Sequence, residues 1–347
     1  MQRFFDPVYA CALLAASTVA TALLVWVLHP LLVRYALARP NARSSHTTPT
    51  PQGGGIAVVA TVVTVGAASA FFGAPGFNAP WAVIVLVALV VLAVVGAIDD
   101  IRPMPVVPRL VMQFAVAAAL VWALQLDGRI VPFIPAPLET ALLVVGLVWF
   151  INLTNFMDGI DLMTVVEVVP IALCLVVIGY LGFVPQITAL MPLSLALAGA
   201  MLGFAPYNRH VARLFLGDVG SLPIGALVGW LLIVLALAGQ LVAALILPLY
   251  YLADATITLA RRWRNGERIS QAHRSHFYQR AVIAGMTVPQ VTREVLLLNV
   301  CLGALAVASI RWPRPEHQLL CLAAALALTA LLLWRFENAR ASTRVAP

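Results

Sequence analysis

The sequence predicts an all-α, polytopic integral membrane protein, and three observations lead there. Of its 347 residues, 62% are hydrophobic and only 10% charged, at a mean hydropathy of +0.98. Soluble domains carry roughly 45–50% apolar and about 25% charged residues, so water is not the main solvent of this chain. The apolar residues gather in runs of about 20, the length at which a helix crosses a bilayer. The 21 basic residues are all arginine and lie unevenly among the intervening loops. These features exclude secreted disulfide scaffolds, collagen-like repeats, disordered tails and nucleic-acid binders working in bulk solvent.

Breaks in hydropathy give eleven transmembrane spans, near residues 8–29, 55–73, 81–98, 106–124, 139–151, 162–181, 187–204, 220–239, 241–259, 293–310 and 317–335. The first is longer than a signal-peptide core and ends in His29-Pro30 without a small-residue cleavage site, so it reads as a retained span. The fifth is short, which fits little tilt or a following loop that dips into the membrane. Seventeen arginines fall on the loops after odd-numbered spans and on the C-terminal tail; Arg3, Arg129, Arg311 and Arg314 lie opposite. That asymmetry places the N-terminus outside and the C-terminus in the cytoplasm. With no internal repeat, residues 1–347 form one transmembrane domain, and 261–292 is its largest cytoplasmic loop. Cys11, Cys174, Cys301 and Cys321 sit inside apolar runs without CxxC spacing and read as packed thiols.

Asp99, Asp100, Asp158, Asp161 and Asp218 stand at cytoplasmic span ends, and Asp254 lies about two turns inside the ninth span. A carboxylate costs roughly 2.5–3.5 kcal/mol at the centre of an inserted helix, so such groups tend to be functional and to face a polar cavity. Helix capping or arginine pairing explains any one of them; six at one depth call for more. Clustered carboxylates suit a hard cation, Mg²⁺ or Mn²⁺, and the arginines and histidines opposite suit an anion. Together they describe phosphoryl-transfer chemistry on a diphosphate.

Five segments carry the chemistry. The loop from Arg43 to Gly55 includes His46, a candidate substrate contact, and ends in three glycines. These are open to two readings, a phosphate cradle at a helix start or close helix packing. Ile98-Asp99-Asp100-Ile101-Arg102 closes the third span. Its aspartates point about 100° apart, so one is expected to serve as base or phosphate contact and the other as electrostatic or structural partner. In Asn152-Leu-Thr-Asn155-Phe-Met-Asp158-Gly-Ile-Asp161, polar residues at every third position share one side only if the helix tightens or breaks, which Gly159 permits. Phe215-Leu-Gly-Asp218-Val-Gly-Ser221 opens the eighth span, where Asp218 is open to metal binding or helix capping. Gln271-Ala-His273-Arg274-Ser-His276-Phe-Tyr-Gln-Arg280 brings bases that suit a diphosphate or sugar, or lipid headgroups.

In this order the segments SHTTPTPQGGG, IDD, NLTNFMDGID, FLGDVGS and AHRSHFYQR resemble the polyprenyl-phosphate N-acetylaminosugar-1-phosphate transferases from about Arg43 to Arg280. The resemblance implies a helical membrane fold of ten or eleven spans, a cytoplasmic-facing site in the bacterial inner membrane and a Mg²⁺ requirement, with Mn²⁺ as substitute. The implied reaction moves a sugar 1-phosphate from a UDP-N-acetylhexosamine to undecaprenyl phosphate, releasing UMP and starting an O-antigen type polysaccharide. Carried over, it makes Asp99, Asp100 and Asp218 catalytic and Asp218 and Asn155 metal ligands, with Asp99 the contact or base for the carrier phosphate. Asn152, Asp158, Asp161, Asn208, His46, His273, Arg274, His276 and Asp254 become substrate-binding, with Asp158, Asp161 and Asn208 on the nucleotide side. The peptidoglycan branch has a triple histidine and a lysine after its paired aspartates; this chain has neither, which argues against a muramyl-pentapeptide donor. The expected partners are the two substrates and the bilayer, with no nucleic acid and a homodimer left open. The rival reading, a secondary transporter, predicts inverted repeats and midplane charges.

Overall fold

A computed structural model of the chain describes residues 6–38, 49–72, 80–124, 128–267 and 273–339. It is almost wholly helical: α1 (Pro7–Tyr35), α2 (Gly55–Phe71), α3 (Pro80–Ile101), α4 (Val106–Trp122), α5 (Ala136–Met157), α6 (Met163–Tyr180), α7 (Pro185–Ala189), α8 (Met191–Asn208), α9 (Asp218–Leu237), α10 (Leu241–Ile246), α11 (Leu249–Arg264), α12 (Phe277–Ile283), α13 (Val288–Arg311) and α14 (Pro315–Glu337). Seven of these, α1, α3, α5, α6, α9, α13 and α14, are long and apolar enough to cross a membrane; α2 and α4 are shorter apolar helices. A two-stranded antiparallel ladder follows α1, pairing β1 (Leu37–Ala38) with β2 (Thr50–Pro51).

Helix α9 is the hub. It packs against α2, α3, α5 and α10, and its only partly buried residues are near its two ends. Lipid tails are as apolar as leucine, so helices in a membrane are held by close packing and interhelical hydrogen bonds rather than by expulsion of water. Both devices occur here. A Cβ on Gly55 would lie 2.2 Å from the Cα of Gly220, and one on Gly96 would lie 2.3 Å from the carbonyl oxygen of Asp218. Helices α2 and α3 therefore press directly on the first turn of α9. Elsewhere Thr21 donates to Thr61 at 2.7 Å between α1 and α2, and Asn299 of α13 donates to the buried Glu167 of α6 at 2.7 Å.

The structure departs from three boundary expectations. The fifth span is not short: α5 stays helical through Asn152, Thr154 and Asn155 to Met157. Each of these polar side chains finds a partner, so the dip in hydropathy does not end the helix. The break falls just beyond, at 158–162, where Leu162 adopts a left-handed φ of 62°. The ninth span is divided at Leu247-Pro248, and α11 runs on to Arg264, since proline lacks the N–H that would continue the ladder. Residues 261–292 are not loop throughout, because they hold the end of α11, all of α12 and the start of α13.

The Gly55–Gly220 contact leaves no room for a side chain. Gly55→Ala is expected to destabilise the protein by about 1–3 kcal/mol, as overpacking of a close-packed core does. A lowered melting midpoint in detergent would show this, whereas an unchanged midpoint would mean that the two helices separate freely.

Candidate active site

The first turn of α9 is placed by a carboxylate from another helix. Asp100, in the last turn of α3, accepts from the backbone N–H of Asp218 at 3.0 Å and of Val219 at 3.1 Å, one on each oxygen. A helix start leaves such donors orphaned and carries a partial positive charge, so an anion there is stabilising. Both Asp100 oxygens are thereby committed to α9. Asp100 thus anchors this turn, and Asp99 is the aspartate of the pair that faces other side chains.

Asp99 accepts from the backbone N–H of Met104 at 2.5 Å and pairs with Arg109 at 2.8 Å. The same guanidinium nitrogen lies 3.7 Å from Asp218 Oδ2, and the Asp99 and Asp218 carboxyls are within hydrogen-bonding reach of each other. Asn155, from the last turn of α5, donates to Asp218 Oδ1 at 2.6 Å and to Ser221 at 2.9 Å. Four helices, α3, α4, α5 and α9, thus deliver two carboxylates, one amide and one guanidinium to a single cluster. Arg109 was not singled out in the sequence, although it stands ten residues after Asp99 in the first turn of the next helix. Its Nε is enclosed without a hydrogen-bond partner among the described residues.

A second cluster flanks the first. Asp158 follows α5 and accepts from Thr164 at 2.5 Å. Burial pushes its carboxyl up to about 6, and the neighbouring Asp100 and Asp161 add to the rise against the lowering effect of the Thr164 hydroxyl. Asp161 is buried and meets His210 Nδ1 at 2.7 Å and the N–H of Ala212 at 3.2 Å. Asn208 accepts from the N–H of Leu162 at 2.7 Å and donates to the carbonyl of Leu214 at 3.0 Å. These contacts tie 158–162 to the connection between α8 and α9. Asp161 and Asn208, expected to touch substrate, are enclosed and hold this segment, and His210, which the sequence reading passed over, is exposed beside them. Asn152, by contrast, donates to Gln113 of α4 at 2.6 Å and to the carbonyl of Val148.

The glycine run resolves in favour of packing. The N–H groups of Gly54 and Gly55 donate to the carbonyls of Phe215 and Leu216, each at 2.9 Å, so they are not free to cradle a phosphate. Gln52 donates to the carbonyl of Asp100 at 2.8 Å and bridges to Phe215, fastening this loop to the same corner. His46 lies outside the described residues.

Asp254 is fully buried in α11 and gathers His276 Nδ1 at 3.1 Å, the N–H groups of Phe277 at 3.1 Å and Tyr278 at 3.3 Å, and the hydroxyls of Tyr250 and Thr258. It caps α12 and neutralises the local donors. Asp254 and the equally enclosed His276 form a clasp that docks the histidine segment. From that segment the Tyr278 hydroxyl reaches the carbonyl of Phe156 at 3.2 Å, and a Cβ on Gly159 would lie 2.1 Å from it. His273 stacks near His276 with ring centroids 5.0 Å apart, and Arg274 is exposed. Glu337 of α14 pairs with both Arg261 and Arg280, which holds the segment from outside.

Among the described residues no three acid, histidine or cysteine side chains converge as a ready-made metal cage. The donor set beside Arg109 is nevertheless all oxygen, two carboxylates and an amide, in keeping with a cation that takes one or two carboxylates and fills its remaining positions with water and phosphate.

Against known proteins, residues 81–236 match the model of glycosyl transferase family 4. Over these residues the chain is similar to that family. It is 26% identical over 293 residues to a Bacillus subtilis protein described as a probable undecaprenyl-phosphate N-acetylglucosaminyl 1-phosphate transferase, covering 79% of this chain and 78% of that one. A decaprenyl-phosphate N-acetylglucosaminephosphotransferase of Mycolicibacterium smegmatis is 28% identical, over 81% and 76% of the two chains. A phospho-N-acetylmuramoyl-pentapeptide-transferase of Streptococcus thermophilus is 34% identical over a shorter stretch, 35% of this chain and 37% of its own. The family match spans α3 to α9 and so takes in both clusters, while the Asp254 clasp lies beyond it.

Two expectations separate the roles of these residues. Asp100→Asn removes one of two backbone contacts and is expected to lower both the melting midpoint and the activity, at about 1 kcal/mol of stability as for a lost cap. Asp99→Asn is expected to keep the midpoint and lose more activity, because only the orientation of Arg109 changes. Removing either Asp254 or His276 breaks the same clasp, so the double alanine variant should lose no more kcat/KM than the worse single one; additive losses would mean that the two act separately.

Proposed function

We propose that this protein transfers N-acetylhexosamine 1-phosphate, with N-acetylglucosamine as the sugar, from a UDP-sugar to undecaprenyl phosphate. UMP is released, and the lipid product starts a surface polysaccharide of the O-antigen type. The observation that carries this reading is the cluster of Asp99, Asp218, Asn155 and Arg109, an all-oxygen donor set with one guanidinium beside it. The relatives that cover over three quarters of their own length bear N-acetylglucosaminyl phosphate transfer in their names, and the one named for muramoyl-pentapeptide covers much less. The chain lies in the bacterial inner membrane with eleven spans, the N-terminus outside and both clusters facing the cytoplasm. In that count α8 and the α10–α11 pair join the apolar helices, and the arginine asymmetry gives the orientation.

In the reaction an oxygen of the acceptor phosphate forms a bond to the sugar-bearing phosphorus of the donor. The bond from that phosphorus to the oxygen bridging it to UMP breaks, and UMP leaves with the electron pair. Phosphoryl transfer is mainly positioning and charge neutralisation. Arg109 supplies a fixed cation next to the reacting phosphates, and Asp99 holds it in place through the 2.8 Å pair. Asp218 and Asn155 would hold Mg²⁺, or Mn²⁺ in its place, with Asp99 within reach. Such an ion, when bound, neutralises charge on the diphosphate. Asp158, beside Asp100, faces the donor side, while Asp100 keeps Asp218 in register.

Purified protein offered a panel of UDP-sugars with undecaprenyl phosphate should make a lipid whose mass has grown by one N-acetylhexosamine phosphate, and should release UMP. Asp218→Ala should lower kcat by about 100- to 1,000-fold, the usual effect of losing a group that stabilises transition-state charge, while the protein stays folded. Solute uptake by proteoliposomes without any lipid product would favour a transporter instead.

A further inference from the structure

We propose that Gln113 is a positioning residue: bonded to Asn152, it sets the gap between α4 and α5 across which Arg109 and Asn155 face the Asp218 carboxylate. The inference rests on the transferase reading above for the reaction that it serves. It starts from a polar group deep in an apolar bundle. Gln113 is fully enclosed in α4, and its Oε1 accepts from Asn152 Nδ2 of α5 at 2.6 Å. The same nitrogen donates to the carbonyl of Val148 at 2.8 Å, so the Asn152 amide is fixed to its own helix. Gln113 Nε2 has no hydrogen-bond partner among the described residues. Enclosing a donor without an acceptor is unfavourable, and an apolar side chain of similar shape is often neutral or stabilising in its place. Helix packing alone therefore gives no reason for a glutamine here, and the reason lies in what its bond to Asn152 accomplishes.

The two helices carry this pair and the cluster on the same faces. Gln113 follows Arg109 by four residues on α4, and Asn152 precedes Asn155 by three on α5, spacings that stack side chains on one side of a helix. Arg109 lies in the first turn of α4 and Asn155 in the last turn of α5, so the pair stands one turn further inside the bundle than the cluster. The contacts close a ring. Asn155 donates to Asp218 Oδ1 at 2.6 Å, Arg109 Nη1 lies 3.7 Å from Asp218 Oδ2, and one turn away Asn152 meets Gln113. Asp218 thus takes the amide on one oxygen and the guanidinium on the other, and the separation of α4 from α5 fixes whether both are in reach. Helix α5 has little freedom to adjust, because a Cβ on Gly225 of α9 would already lie 3.0 Å from the Cα of Ile151 and the Cβ of Thr154. The bond at Gln113 therefore acts on α4 and on the backbone that carries Arg109, while Asp99 steers the guanidinium at its tip. A displacement of about 1 Å in a positioning group can cost about 100-fold in rate.

The test compares the volume-conserving Gln113→Met with a swapped pair, Gln113→Asn together with Asn152→Gln, in which the longer and shorter amides trade helices and their combined reach is kept. Initial rates with UDP-N-acetylglucosamine and undecaprenyl phosphate are measured on the full-length protein in detergent. Melting midpoints and hydrogen exchange of the peptide covering the first two turns of α4 are measured alongside. For Gln113→Met the expected result is a kcat lower by about 10- to 100-fold, with KM for both substrates within about twofold of wild type. The midpoint should equal that of wild type or exceed it, and faster hydrogen exchange should be confined to that peptide. The swapped pair should recover most of the lost kcat, whereas Asn152→Gln alone should not. A wild-type kcat in Gln113→Met would overturn the proposal. So would a kcat loss matched by a lower midpoint, which marks a role in stability alone, and a raised KM at unchanged kcat, which marks a ligand contact. If Gln113→Met does not fold, the swapped pair decides by itself, and a kcat as low as that of Asn152→Gln alone would sink the proposal. If wild-type protein makes no lipid product, the transferase reading fails, while the hydrogen-exchange comparison still decides whether Gln113 places α4; unchanged exchange would then overturn both.

Discussion

The bond on which this site depends is the one between Asp100 and the first turn of α9. A carboxylate at the end of one membrane helix accepts the two foremost N–H groups of another, satisfying donors that lipid could not. Because α9 begins at Asp218, capping that turn also sets where the Asp218 carboxylate stands relative to Asp99, Arg109 and Asn155. The glycine contacts serve the same end. Without Cβ atoms at Gly55, Gly96 and Gly220, α2 and α3 close on the α9 terminus, and the capping distance becomes reachable. Stability and the geometry of the cluster share one constraint here, since the turn that must be capped for the bundle to pack carries the Asp218 carboxylate.

The aspartates of the chain divide by what they accept. Asp100, Asp161 and Asp254 accept backbone N–H groups and act as internal ligands for chain ends and loops. Asp99 also accepts a backbone N–H, from Met104, but it and Asp218 differ from these in lying beside the Arg109 guanidinium. Burial explains the division. A carboxylate enclosed with no cation must be compensated by several donors, and exposed peptide N–H groups at helix starts are the most plentiful donors in an apolar bundle. A carboxylate left beside one guanidinium keeps free lone pairs, and those are the ones available to a cation or to water. The similarity to glycosyl transferase family 4 over 81–236 fits this arrangement, because the proposed transfer demands a rigid lattice of fixed charges more than a reactive side chain.

The histidine segment obeys the same logic from the other end of the molecule. Asp254 sits inside α11, yet it is satisfied by residues of α12, and α12 in turn leans on Gly159 and Phe156 through Tyr278. A movement of this segment would therefore be felt at 156–159, one turn from Asn155. Glu337 holds the outer surface by its two arginines, so part of the positive charge of this region is neutralised within the protein rather than offered to lipid.

Composition and hydropathy alone established that the chain is a helical membrane protein, because apolar runs of about 20 residues have no other stable solvent. The motif order was enough to bring Asp99, Asn155, Asp158 and Asp218 to one end of the bundle, as they are found. What the sequence did not disclose was which atoms of these residues remain available. Asp99 and Asp100 are adjacent and chemically identical, and only the approach of α9 decides that one becomes a cap. Asn152, Asn208 and Asp254 share the look of site residues, yet each is consumed by a neighbour distant in sequence: Gln113, Leu162 with Leu214, and His276. Arg109 and His210 looked like ordinary loop residues and acquired partners, Asp99 and Asp161, only through long-range packing. Polarity and spacing are local properties that a chain carries with it, whereas a hydrogen bond's partner is fixed by the crossing of helices.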